Sequence, residues 1–103
     1  MKLVSIENIP GQDFEVIGVV KGTIVQSKNV GKDFMSAMKT LVGGELKGYT
    51  DMLIEARQIA TKRMVDEAET LGADAIVGVR YASSSVMQGA AEVMAFGTAV
   101  KFR

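Results

Sequence analysis

The nine residues Leu71-Gly72-Ala73-Asp74-Ala75-Ile76-Val77-Gly78-Val79 hold the change of period on which the fold turns. Upstream of them, apolar side chains recur at helical spacing: Leu53, Ala56, Ala60, Met64, Ala68 and Leu71, flanked by Met52 and Ile59. That spacing predicts a helix over 49–71. Gly72 ends it, because glycine adopts the left-handed conformation in which helices commonly stop. From Ala75 the apolar residues run on without a gap. Such a run reads as a strand, 75–86, covered on both faces. Met87-Gln88-Gly89-Ala90 is a hairpin connection, and 91–102 is the return strand. On the helix, Lys62–Asp66 and Arg63–Glu67 are expected i,i+4 ion pairs. Asp51 near its start suits the helix dipole.

Toward the N-terminus, residues 13–27 read as a long strand. Phe14, Val16, Gly18, Val20, Gly22 and Ile24 alternate onto one face, and Ile17, Val19 and Val25 make the other face apolar too. Gly18 and Gly22 on one face predict a close approach to the backbone there. Residues 2–6 read as a short strand, and Pro10-Gly11 as a turn. Val30, Phe34, Ala37, Met38 and Leu41 predict a further helix over 31–42, stopped by Gly43-Gly44. The expected order is ββααββ. This is an α+β protomer with a small mixed or antiparallel sheet and two helices, in a single domain over 1–103.

The 103 residues carry 12 basic and 12 acidic side chains, with no His and no Cys. Zero net charge argues against nucleic acid as a partner, which selects a basic face. The lack of His and Cys removes the commonest general base, the commonest metal ligand and all thiolate chemistry. No apolar run approaches the ~18 residues of a membrane span. The opening residues turn polar by Glu7-Asn8, unlike a signal peptide, so a soluble cytoplasmic protein is expected. Apolar residues make up 48%, with 11 glycines besides. A chain this small has proportionally more surface to cover. Two-faced strands, and Ile54 and Val65 lying off the main helical stripe, therefore ask for cover by other copies of the chain. Identical head-to-tail contacts close into a ring or run on as a fibre.

Four residues stand out as candidates for binding a small-molecule ligand. Gly43 to Thr50 has the outline of a phosphate loop, but Tyr49 holds the place where that loop needs lysine. An anion could still meet the helix start, helped by Lys47. Arg57 falls inside the apolar arc, and its i±3 and i±4 neighbours (Leu53, Ile54, Ala60, Thr61) include no acid. A partly buried arginine needs a partner, so Arg57 is expected to find a carboxylate, carbonyls or a ligand outside its own helix. Glu92 should lie opposite Ser84 or Ser85, with Arg80 a second basic group in the sheet. Without histidine the Ser83-Ser84-Ser85 run cannot belong to a Ser-His-Asp triad. The seven methionines read as core fillers. Asp66, Glu67 and Glu69 are spread around a helix surface, a poor cation cage. No catalytic residue, metal ligand or cofactor is assigned.

Gly43-Gly44, Tyr49, Glu55-Ala56-Arg57, Gly72-Ala73-Asp74-Ala75-Ile76-Val77-Gly78, and Glu92 with Ala95-Phe96-Gly97-Thr98-Ala99-Val100 occur in an order that resembles the YbjQ-like family of small bacterial and archaeal proteins. The resemblance spans nearly the whole chain. It implies a protomer of this type assembled as a ring-shaped homopentamer, a β/α-propeller, and it brings a heavy-metal-binding label. The expected function is a ring-forming homo-oligomeric binding or scaffold protein. One alternative is a metal- or metalloid-binding protein. Another is an enzyme that uses Arg57, Tyr49 and Glu92 on a small anionic substrate at a subunit interface.

Overall fold

A computed structural model describes residues 1–27 and 47–103. The expected helix over 31–42 and its Gly43-Gly44 stop lie outside the described residues. The rest is α+β: one helix on a four-stranded mixed sheet. Strand β1 is Lys2–Leu3, β2 is Phe14–Ser27, helix α1 is Lys47–Thr70, β3 is Ala75–Met87 and β4 is Ala90–Phe102. The sheet order is β1-β3-β4-β2. Strand β1 runs parallel to β3, and β4 pairs antiparallel with both β3 and β2.

The period change falls where the sequence puts it. Helix α1 ends in a double C-terminal cap: the Gly72 N–H donates to Glu69 O at 3.0 Å, and the Ala73 N–H to Ala68 O at 3.1 Å. Gly72 takes φ +77°, the left-handed conformation this cap requires. Asp74 then secures the chain to the sheet. Its N–H donates to Val100 O at 2.8 Å, and its carboxylate accepts the Phe102 N–H at 2.8 Å. Pro10-Gly11 turns as expected, with Gln12 N–H donating to Ile9 O at 3.0 Å. Strand β1 is shorter than the expected 2–6, because Val4 to Ile6 bond to β3 around a bulge rather than in a continuous ladder.

Among the described residues three register shifts interrupt the sheet; one, between Ser85 and Met87, lies at the hairpin end, and the other two reset which side chains face which way. In β2 the register slips between Val16 and Gly18, leaving Ile17 as the extra residue. Phe14 and Val16 therefore do not share a face with Val20, Gly22 and Ile24, contrary to simple alternation. In β3 the slip lies between Val77 and Arg80, at Gly78 with φ +62°. The core is accordingly split. On the α1 face, Val20, Ile76, Val79, Val93, Ala95 and Ala99 pack against Ala56, Ala60, Met64 and Ala68. On the other face, Ile9, Ala75, Val77 and Val100 form a smaller cluster with Val4 and Phe14.

Helix α1 comes unusually close to the sheet. Gly22 is buried under it, and a Cβ there would collide with the carbonyl oxygen of Ala60 and the amide nitrogen of Met64. Gly18 needs no such space, since nothing lies within 4 Å of its missing Cβ. The contact line on α1 is Met52, Ala56, Ala60, Met64 and Ala68, all buried, while Leu71 at the end of the expected stripe is 49% exposed. Of the two expected ion pairs, Lys62–Asp66 forms at 3.0 Å. Arg63 instead reaches across to donate to Thr23 O at 2.7 Å, tying α1 to β2. Among the described residues, no helix is long and apolar enough to cross a membrane.

Candidate functional site

A concavity lies where the N-terminal half of α1 passes over the outer part of β3. Leu53 and Arg57 of α1 face Tyr81, Ala82 and Ser83 of β3 and Val93 of β4 across a cavity of about 120 Å³. A shallower groove continues from it along α1, lined by Arg57, Gln58, Thr61, Lys62 and Tyr81. Arg57 and Tyr81 are common to both.

Helical geometry sets the α1 wall, since Arg57 and Thr61 lie one turn apart on the same flank. The β3 wall depends on the bulge. Plain alternation from Ile76, which faces α1, would aim Arg80 at the helix and turn Tyr81 away. The extra residue at Gly78 reverses this. Tyr81 then meets the helix, its hydroxyl 3.0 Å from Thr61 Oγ1. Arg80 goes to the opposite face, where it donates to Ser5 O at 2.6 Å and stands 3.8 Å from the Glu7 carboxylate.

The hydroxyls have a direction. Thr61 Oγ1 donates to the Arg57 carbonyl at 2.7 Å. Its single proton is thereby used, so in the Thr61–Tyr81 contact the tyrosine hydroxyl donates. The Tyr81 oxygen keeps free lone pairs toward the groove. The Arg57 guanidinium makes no hydrogen bond or ion pair among the described residues, and it is exposed rather than partly buried as expected. Among the described residues no carboxylate lines either part of the groove. Lys62 adds a second cation, partly offset by Asp66.

The other candidates do not gather there. Tyr49 is half-buried in the first turn of α1. Glu92 pairs in register with Ser84, one of its two expected neighbours. It alternates with the buried Ala91 and Val93, which puts it on the sheet face away from α1 and Arg57. The Lys47 side chain lies outside what the structure describes. Tyr81 and Thr61 were missed by the sequence reading. The signal for Tyr81 was Gly78, since a glycine inside a strand marks a possible bulge and hence a change of face.

Comparison with known proteins fits this fold. The YbjQ-like family model, whose description reads "Putative heavy-metal-binding", matches residues 1–103. A UPF0145 protein of Clostridium novyi is 62% identical over 101 residues, covering 98% of each chain. Another from Fervidobacterium nodosum is 58% identical over 104 residues, covering 100% of this chain and 96% of its own. A crystal structure of a DUF74-family protein of unknown function from Pediococcus pentosaceus superposes with TM-score 0.67 at 16% identity. It covers 100% of this chain and 98% of that one, and it supports the fold alone. The chain belongs to the YbjQ-like family.

The family description raises a metal, and the donors here do not fit one. The sequence has neither His nor Cys. Among the described residues no cluster of three acidic side chains forms. Met52 and Met64 are buried in the core, Met87 is exposed beside the hairpin turn, and Met94 sits on the face opposite α1, so among these described methionines no pair of thioethers converges.

Proposed function

We propose that this YbjQ-like chain is the protomer of a ring-forming homo-oligomer, a cytoplasmic binding or scaffold protein for a small molecule rather than an enzyme. The observation that carries the reading is the sheet face away from α1. Beyond the small cluster around Ile9, no described element covers it. Val19 is 73% and Val25 60% exposed, with Met94 and Phe96 half-buried between β2 and β3. A patch of this kind on a small protein marks an interaction surface. The shape agrees. The molecule measures 54 × 25 × 17 Å with a radius of gyration of 16.9 Å, where a compact chain of this length would have about 13 Å.

Scaffold or binding is favoured over catalysis because Arg57, Tyr49 and Glu92 do not converge within the protomer, and among the described residues no nucleophile stands beside a base. Five subunits is the number that the family resemblance implies. Sedimentation equilibrium at micromolar concentration tests the assembly. The expected species is a closed multiple of the 11.0 kDa protomer, five copies by the resemblance. A stable folded monomer would overturn the reading, and a different closed multiple would overturn only the number.

A further inference from the structure

We propose that the Arg57–Tyr81 groove binds a short organic carboxylate that carries a hydrogen-bond donor next to its anionic group, as a hydroxy acid does. The inference deepens the binding reading above and rests on it. Three observations lead to it. First, the groove has an unneutralised cation: among the described residues Arg57 has no partner and no lining side chain is acidic. A guanidinium presents paired donors that match the two oxygens of a carboxylate. Second, the hydroxyl chain has a fixed order. Tyr81 donates to Thr61 and Thr61 to the Arg57 carbonyl, at 3.0 and 2.7 Å, so the Tyr81 oxygen offers the groove an acceptor. A ligand that is anion alone satisfies Arg57 and leaves this acceptor unmet, whereas a hydroxyl beside the carboxylate satisfies both. Third, the inner cavity is small, about 120 Å³, with Leu53, Ala82 and Val93 in its walls. It suits a short carbon skeleton rather than a nucleotide or a peptide.

The test compares lactate with propionate, which differ by that hydroxyl, by titration calorimetry on the full-length protein. Lactate is expected to saturate one site per protomer and to bind several-fold more tightly than propionate. Arg57→Gln should weaken both anions by about tenfold or more, the range for a hydrogen bond to a charged group, and Arg57→Lys should recover part of the loss. Tyr81→Phe should bring lactate down to propionate and leave propionate unchanged. Absence of saturable lactate binding, or equal binding by wild type and Arg57→Gln, would overturn the proposal. Sedimentation of the same samples keeps the two readings apart. If Arg57→Gln lowered the oligomeric mass, the guanidinium would be engaged by a neighbouring copy, which overturns the ligand site and leaves the assembly standing. A monomeric wild type that still binds lactate through Arg57 overturns the ring and leaves the site.

Discussion

Gly22 decides how close α1 can come to the sheet. Only a hydrogen fits between the β2 backbone and the Ala60–Met64 turn of the helix, and the Arg63 Cβ would stand 2.8 Å from an added methyl. Backbone atoms cannot step aside as a side-chain tip can. Gly22→Ala is therefore expected to destabilise the protein by about 1–3 kcal/mol, the usual cost of overpacking. Urea unfolding at one fixed protein concentration checks it, since assembly makes stability concentration-dependent. Gly18→Ala, four residues away, meets nothing within 4 Å, so any cost there comes from its backbone φ of +158° and not from the helix. Gly78 has a different task. Its φ of +62° shapes the bulge that brings Tyr81 to Arg57, and its N–H donates to Ile6 O at 2.9 Å. A Cβ there costs about 1–2 kcal/mol through the left-handed backbone alone.

Helix α1 shows how tertiary contact selects among residues that periodicity treats as equal. The sequence stripe runs from Leu53 to Leu71, yet the buried line is Met52, Ala56, Ala60, Met64 and Ala68, spaced strictly four apart. Three of the five are alanines, and at Gly22 the helix backbone at Ala60 and Met64 lies directly against β2. Larger residues are displaced to the flanks: Leu53 is half-buried, while Ile54 and Leu71 are exposed. The same rotation places Arg57 on an open flank beside Tyr81. An order of effects follows that a hydrophobicity count would reverse. Ala60→Leu, at a position with no exposure, should cost more than 1 kcal/mol through overpacking. Leu71→Ala, at a half-exposed helix end, should fall within about 0.5 kcal/mol of wild type. Thermal or urea melts of the two variants at equal concentration decide it.

At the scale of the whole molecule, the described residues form a long sheet with α1 on one face. Strand β2 has 14 residues, about 46 Å at ~3.3 Å per residue. The 24-residue helix spans about 36 Å at ~1.5 Å per residue on one face. Among the described residues the other face is served only by the loop carrying Ile9, and Val19 and Val25 are exposed there. A charge at Val19 should therefore harm assembly and spare the protomer. Val19→Asp is expected to lower the oligomeric mass in sedimentation and to leave far-ultraviolet circular dichroism unchanged. Unaltered mass would remove this face from the interface.

Local chemistry made much of the protein legible in its sequence. Gly72 after a helical run, Pro10-Gly11 and Gln88-Gly89 are stop and turn signals whose cause lies within a few residues of backbone. The helix through Thr70 and the strands from Phe14, Ala75 and Ala90 therefore lie close to where periodicity puts them. The absence of His and Cys likewise rules out thiolate and imidazole chemistry by composition alone. Facing and contact were decided only by the tertiary structure. One extra residue at Ile17 and another at Gly78 reverse every side chain beyond them, and a bulge is a property of two paired strands rather than of one. That is why Phe14 parts from Val20, why Arg80 turns to Glu7, and why Tyr81 rather than Glu92 stands beside Arg57. The groove depends on those reversals, joining residues 24 positions apart through a strand register that no local pattern encodes.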